Sequence, residues 1–122
     1  MIALHSCEGP IAQRVTATRV ADVIQAVSKV WMCEPANISK DSFIRQFSHP
    51  RFAVYWIAHR VLERSLPQIG GILGRDHTSV LSGVTRADQL TITDMTFRLR
   101  LLATLQALGL PEPILPKPQG VN

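Results

Sequence analysis

Five consecutive polar residues form the part of this sequence best suited to binding chemistry. Arg75, Asp76, His77, Thr78 and Ser79, here called the polar run, place a cation, a carboxylate, an imidazole and two hydroxyls side by side. These groups can donate and accept hydrogen bonds and can neutralise an anion. What they recognise depends on the element that presents them.

A helix is predicted to begin just after Asp76, with the polar run at its N-terminus. An aspartate at that position accepts hydrogen bonds from free N–H groups of the first turn, here those of Thr78 and Ser79. Apolar residues downstream recur at helical spacing and form a buried stripe, namely Val80, Val84 and Ala87. The opposite side is polar and carries Thr78, Ser82 and Thr85. We expect this helix to end at Asp88 or Leu90.

A shorter helix precedes it. Leu66, Ile69 and Leu73 recur at helical spacing, and Pro67 lies in a first turn, where proline is tolerated. Gly74 is the expected end of this helix. Two helices joined by a tight turn form a helix-turn-helix, whose second helix enters the DNA major groove with its first residues at the base edges.

Positive charge is concentrated around this unit. Residues 45–86 contain six arginines and two acidic residues, a net charge of +4 that equals that of the whole chain. The histidines in this range can add charge at lower pH. Basic charge focused on one unit indicates a polyanionic ligand.

Residues 65–84, SLPQIGGILGRDHTSVLSGV, resemble the signature of the C-terminal DNA-binding domain (domain IV) of DnaA, the bacterial chromosomal replication initiator. The resemblance implies an all-α fold, a compact bundle of five or six helices with a helix-turn-helix, as in the Trp repressor and DnaA domain IV. We divide the chain into a loosely ordered N-terminal segment (1–14), the DNA-binding domain (15–109) and a Pro-rich C-terminal tail (110–122). We expect the tail to be extended, with a disordered end.

Apolar spacing predicts further helices on either side of the helix-turn-helix. The first begins at Thr16 or Thr18 with a threonine cap and ends at Met32, and a turn or short helix follows over 41–48. A central helix then begins at Pro50 and runs to Arg64. Its aromatic residues are expected in the core. A last helix would close the core with the following residues: Met95, Leu99, Leu102, Leu105 and Leu108.

The resemblance implies base contacts for four residues: Asp76, His77, Thr78 and Ser79. Asp76 would accept a hydrogen bond from a cytosine amino group, and His77 would donate one to a guanine. Thr78 and Ser79 would meet thymine methyls or other base edges. Judged from the residues alone, Asp76 could serve only as a helix cap, and His77 could be an ordinary solvated side chain.

The resemblance also implies phosphate contacts. Arg51 matches the phosphate-contacting arginine of the family, and Arg75 is assigned the same role. Four further residues are assigned to phosphates: Arg86, Arg45, Lys40 and Ser82. Arg86 stands where the family has a lysine, and Ser82 stands where it often has a histidine.

Three departures from the family pattern bear on the binding mode. Phe43 occupies the position of an arginine that the family inserts into the minor groove, and Arg45 is either its replacement or a solvated side chain. Phe52 stands in place of the usual glutamine. The turn over 70–75 is one residue shorter than the commonest form, so we expect the recognised sequence to differ from a DnaA box.

Other functions lack support in the sequence. No nucleophile with a base, carboxylate pair or metal-ligand set stands at the required spacing, so we expect neither an enzyme nor a metal site. Cys7 and Cys33 make no disulfide framework, and no apolar run reaches the ~18 residues of a membrane span. No Gly-Lys-Ser/Thr loop is present, so no nucleotide or other cofactor is expected. We expect a cytoplasmic, nucleoid-associated protein.

These patterns predict sequence-specific binding of double-stranded DNA at DnaA-box-like sites by a regulator of replication initiation or transcription that lacks its own ATPase. We expect a natural small protein rather than an excised domain, with DnaA itself as a candidate partner. The alternative is a protein-interaction module derived from the same fold, for example a partner or modulator of DnaA, with weak or no DNA binding. Phe43 favours the alternative, and the intact polar run argues against it.

Overall fold

Helices form the regular structure of the computed structural model, which describes residues 15, 17–39 and 48–118. In chain order they are α1 (Val20–Trp31), α2 (Pro35–Ser39), α3 (Ser48–Trp56), which continues as a π-helical turn (Ile57–Val61), α4 (Leu66–Leu73), α5 (His77–Thr93) and α6 (Met95–Leu108). No strand occurs within these ranges. The predicted all-α class is confirmed, and α4 and α5 form the predicted helix-turn-helix.

The start of α1 differs from the prediction. Arg19 occupies the cap position, and its N–H donates to the Asp22 carboxylate at 2.9 Å. The predicted threonine cap is therefore wrong for this helix, because an acidic residue in the first turn satisfies the cap from inside the helix. Thr16 lies outside the described residues, and Thr18 precedes Arg19 without helical conformation.

The start of α3 also differs. The helix begins at Ser48, so Pro50 takes its third position rather than its first. Proline is tolerated there because the N–H groups of the first turn have no intrahelical partner. Apart from Ser48, the turn or short helix predicted over 41–48 lies outside the described residues.

The second half of the predicted central helix is not regular. The Leu62 N–H donates to the Ile57 carbonyl at 3.0 Å, five residues back, and the Arg64 N–H donates to the Ala58 carbonyl at 3.0 Å. Glu63 then adopts a left-handed conformation with φ of 56° and ends the helix. A π-helical turn rotates the side chains that follow it, and apolar spacing gives no sign of such a turn.

The core is built around α3. Residues 53–58 are each at most 3% exposed, which confirms that Tyr55 and Trp56 are core residues rather than surface platforms. α5 packs on α3 along its buried stripe, where Val80, Val84 and Ala87 are fully buried, and α6 packs on α1 and α5. The helix that carries the polar run is therefore held against the centre of the molecule.

The predicted inner face of α6 is only partly correct. Phe97, Leu101 and Leu105 face the core, and Phe97 packs edge-on against Trp31 with ring centroids 5.7 Å apart. The other leucines of the predicted stripe, and the methionine that begins it, are half-buried or exposed. α6 has apolar residues on two sides, so helical spacing alone fits either stripe, and packing against α1 selects one.

The tail returns along α6 instead of projecting from it. Residues 110–118 have neither helix nor strand, as their prolines predict, but Leu110 is buried and Leu115 packs against the core. Arg98 donates a hydrogen bond to the Pro116 carbonyl at 2.6 Å. The described part of the tail is thus attached to the domain, and the disordered end expected from the sequence stays a prediction. Residues 119–122 lie outside the described ranges.

Gly83 sets the distance between α3 and α5. A Cβ atom at this position would overlap the Tyr55 ring and press on Phe52. A glycine inside a helix costs about 1 kcal/mol relative to alanine, so its presence in the middle of α5 is offset by the close helix crossing it permits. Gly71 offers the matched case, since a Cβ there meets no atom within 4 Å.

We expect Gly83→Ala to lower the free energy of unfolding by about 1–3 kcal/mol, because an added methyl group in a closed helix crossing forces the helices apart. Gly71→Ala should raise it by about 0.5–1 kcal/mol through its better helix propensity. Urea unfolding followed by circular dichroism measures both changes. Equal stability of the two variants would contradict this account of the crossing.

Candidate nucleic-acid interface

Two reciprocal hydrogen bonds cap the N-terminus of α4, the first helix of the helix-turn-helix. The Gln68 N–H donates to the Ser65 hydroxyl at 3.2 Å, and the Ser65 N–H donates to the Gln68 side chain at 3.0 Å. This capping box fixes the start of α4 at Leu66, with Pro67 in the first turn as predicted. The pattern Ser-x-x-Gln was present in the sequence and was not used in the prediction.

Two glycines, one at the end of α4 and one inside it, allow the tight turn between the helices. Gly74 has φ of 70°, a conformation that strains other residues, and it ends α4 as predicted. Gly70 lies against the turn itself, because the Arg75 N–H donates to the Gly70 carbonyl at 2.8 Å and a Cβ at Gly70 would overlap the Arg75 backbone. The chain therefore reverses tightly enough to start α5 next to the end of α4.

Asp76 caps α5, as predicted. Its Oδ1 atom accepts the Ser79 N–H at 2.8 Å and the Thr78 hydroxyl at 2.7 Å. For Thr78 the donor is thus the side chain and not the predicted backbone N–H. The hydroxyl of Thr78, followed by the N–H of Ser79, lowers the pKa of Asp76 from 3.8 to about 2. The carboxylate is therefore ionised at neutral pH and orders the first turn of the helix.

The side chains of the four assigned base readers are all exposed at the N-terminus of α5: Asp76, His77, Thr78 and Ser79. Their backbone is fixed by the cap below them, and their side chains point away from the buried stripe. The structure thus places these residues together on one accessible end of a well-anchored helix.

Four of the six predicted phosphate contacts, three arginines and Ser82, lie beside them. Arg51, Arg75 and Arg86 line a surface pocket of about 430 Å³ between α3 and α5, together with the serines at 79 and 82. We call this group the arginine pocket. Phe52, Tyr55 and Gly83 complete its walls, so the pocket contains no carboxylate. Ser79 belongs both to this pocket and to the polar run.

The three arginines are held differently. Arg51 is only 7% exposed, and its guanidinium lies 3.5 Å from the carbonyl oxygens of Ile38 and Asn37. Arg75 is half-buried, whereas Arg86 is exposed and donates to the Gln89 side chain at 3.1 Å. Arg51 therefore also joins α3 to the end of α2. Lys40, Arg45 and Phe43 lie outside the described residues, so the proposed minor-groove contact stays a prediction.

An ion pair that the sequence analysis missed anchors the second half of α5. The Trp56 indole N–H donates to Asp88 at 2.8 Å, and Arg60 bonds to the other oxygen of the same carboxylate at 2.6 Å. These residues are about thirty positions apart, and no local spacing connects them. The Nδ1 atom of His59 lies 3.0 Å from the Arg64 carbonyl oxygen, so this histidine has a hydrogen-bond partner within its own segment.

The described ranges contain no group of three or more histidine, cysteine or acidic residues arranged to hold a metal ion. No helix within those ranges has the length and apolar character needed to span a membrane.

The region that contains the helix-turn-helix is similar to known proteins. A family model described as the bacterial dnaA protein helix-turn-helix matches residues 20–86, which include α4, the turn, the polar run and the arginine pocket. This range is more than half of the chain.

The curated relatives of the chain point to the same family as the family model. The chain is 33% identical over 76 residues to the chromosomal replication initiator protein DnaA of Ruegeria pomeroyi, an alignment that covers 62% of this chain and 16% of the relative. It is 33% identical over 86 residues to the protein of that name from Gluconobacter oxydans, covering 70% and 17%. For the Roseobacter denitrificans protein the identity is 40% over 76 residues, covering 62% and 17%. The chain spans about a sixth of the length of these relatives.

The lowered pKa of Asp76 predicts how the start of α5 responds to acid. Because the folded-state pKa of about 2 lies below the ordinary value of 3.8, the cap stabilises the fold above about pH 4. This contribution is lost as the pH falls through the folded-state value. NMR titration of the Asp76 carboxyl and the Ser79 amide should show only about a tenth of the carboxyl protonated at pH 3. Asp76→Asn should abolish the titration while keeping the cap. A midpoint near 3.8 would contradict the capping geometry.

Proposed function

The chain belongs to the bacterial DnaA helix-turn-helix family, and on this basis we propose that it binds double-stranded DNA in a sequence-specific way. The proposed sites resemble the DnaA box, with a sequence altered by the shorter turn between α4 and α5. The observation that carries the proposal is the position of Ser79, which joins the exposed polar run to the arginine pocket.

The arginine pocket supports backbone binding. Three guanidinium groups and two hydroxyls surround one concave surface that contains no carboxylate. Such groups bind phosphates, set the register of the protein on the duplex and make the affinity depend on salt. We assign Arg75, Arg86 and the exposed Ser82 to phosphate contacts, with the buried Arg51 lining the same surface. Lys40 and Arg45 keep their assignment as predictions.

The polar run supports base readout. In a helix-turn-helix the first residues of the second helix meet the base edges once the flanking phosphates are bound. Asp76 is proposed to accept from a cytosine amino group, since it is exposed and a carboxylate ionised at neutral pH acts only as an acceptor. His77 is proposed to donate to a guanine, and Thr78 and Ser79 to contact thymine or other edges.

The proposed biological role is regulation of replication initiation or of transcription through occupation of such sites, in association with the nucleoid. We propose a binding role and no catalysis. DnaA is a candidate partner because a protein with related specificity would meet it on shared DNA sites.

A second candidate is a protein-interaction module with weak or no DNA binding. The burial of Arg51 favours it, because a guanidinium that is 7% exposed and directed to the carbonyls of Asn37 and Ile38 has little left to offer a phosphate. Selection of bound sites from random duplexes by the purified chain separates the two candidates. Convergence on a motif supports the first, and a flat result supports the second.

His77→Ala should weaken binding to the selected site by about 1–3 kcal/mol and leave binding to random DNA nearly unchanged, because only the base contact is lost. Thr93→Ala, at the opposite end of α5, is the control and should have no effect. Fluorescence anisotropy with both duplexes measures the difference. Equal loss on the two duplexes would show that His77 does not read bases.

Arg86→Ala should weaken binding to selected and random duplexes alike and reduce the salt slope by about one unit, as expected for the loss of one phosphate contact. Arg86 is preferred to Arg51 for this test because it is exposed and its removal leaves no buried gap. Lys29→Ala on α1 makes the same change in net charge at an exposed site outside the arginine pocket. An equal effect of the two substitutions would refute the specific contact.

A further inference from the structure

The exposed face of α5 carries one large apolar side chain, that of Leu81, which is 48% exposed. All residues of α5 are described, and its remaining exposed positions carry imidazole, hydroxyl, amide or guanidinium groups. The other apolar residues of the helix are buried or half-buried. A single exposed apolar side chain is ordinary on a protein surface, so the position of Leu81 decides what it contributes.

Leu81 lies beside the assigned base readers. Residues three and four positions apart are neighbours on the surface of a helix, so Leu81 adjoins His77 and Thr78 towards the N-terminus and Thr85 towards the C-terminus. Recognition helices of several folds read successive bases with residues at such intervals. Leu81 therefore stands where the next base contact of α5 is expected.

The groups assigned to phosphates follow a different line along α5. Ser79, Ser82 and Arg86 line the arginine pocket and are themselves three and four positions apart. Neither His77 nor Leu81 contributes to that pocket. The exposed face of α5 is thus divided between one line of residues at the proposed phosphate site and another that carries His77 and Leu81. Leu81 belongs to the line that holds a base reader.

The chemistry of Leu81 and its neighbours fits a base edge better than a protein partner. A protein-docking patch has an apolar centre made by several residues, whereas the neighbours of Leu81 on α5 form hydrogen bonds. The major groove presents hydrogen-bond donors and acceptors and one apolar group, the C5-methyl group of thymine. Because leucine forms no side-chain hydrogen bond, that methyl group is the feature of the groove that it matches.

Resting on the DNA binding proposed above, we propose that Leu81 is a specificity-determining residue that contacts the C5-methyl group of a thymine. Four residues of helix advance about 6 Å and base pairs are about 3.4 Å apart, so this thymine lies within about two base pairs of the base read by His77. A cytosine amino group opposite Leu81 would lose water without gaining a partner. Leu81 therefore favours thymine by contact and disfavours cytosine by desolvation.

Deoxyuridine tests this contact, because it differs from thymidine only in lacking the methyl group. Each thymine of the site selected from random duplexes is replaced in turn by deoxyuridine, and binding is measured by fluorescence anisotropy. The unaltered chain should lose about fourfold in affinity at the thymine that Leu81 contacts, the factor that corresponds to one buried methyl group. Leu81→Ala should bind the thymine and uracil duplexes equally at that position and keep its response at every other thymine.

Two further variants control for the substitution itself. Leu99→Ala removes an equally exposed leucine from α6, which contributes no residue to the polar run or the arginine pocket, and it should leave the whole uracil profile unchanged. Leu81→Met keeps an apolar side chain of similar volume and should keep the response to uracil. Circular dichroism should show all three variants folded, because both leucines are exposed and alanine and methionine are good helix formers.

Failure of this inference is distinguishable from failure of the proposed function. If no motif is selected from random duplexes, the proposed function is overturned and the inference with it. If a motif is selected and Leu81→Ala shows the same uracil profile as the unaltered chain, the inference alone is overturned. The same holds if uracil has no effect at any thymine of the selected site.

Discussion

The close crossing of α3 and α5 at Gly83 is the constraint on which the rest of the structure depends. The Tyr55 ring occupies the space that a side chain at Gly83 would need. Because the helices approach so closely there, Arg51 on α3 and Arg86 on α5 line the same pocket. The arginines of the two helices line one concave surface only because the helices are in contact here.

α5 is held against α3 at its centre and near its C-terminal end, and its first turn is ordered by a local cap. Asp76 accepts two hydrogen bonds at its start, and Asp88 binds Trp56 and Arg60 near its other end. The Gly83 crossing and the Asp88 bonds leave the helix little freedom to tilt or slide, and the Asp76 cap orders its first turn. A helix with exposed polar residues and a fixed axis is suited to recognition, since less ordering is required when a ligand binds.

The helix-turn-helix was largely predictable because its signals are local. Gly74 ends α4 and Asp76 caps α5 through bonds within a few residues, so residue type and spacing were enough to place both. The π-helical turn after Trp56 and the start of α1 at Val20 were not predicted, since each depends on small backbone choices that apolar spacing does not record. α6 was predicted as a helix with an inner face that is only partly correct: Met95 and Leu99 are exposed, because two sides of the helix are apolar.

The sequence by itself determined the all-α class, the helix-turn-helix and the exposed polar run, since caps, turn glycines and helical spacing act over a few residues. Only the tertiary structure decided which arginines share a pocket, how far Arg51 is buried and which side of α6 faces the core. The tertiary structure also decided that Asp88 binds Trp56 and Arg60, and that the tail returns to Arg98. These features join residues far apart in the chain, and such contacts form only when the packed helices bring them together.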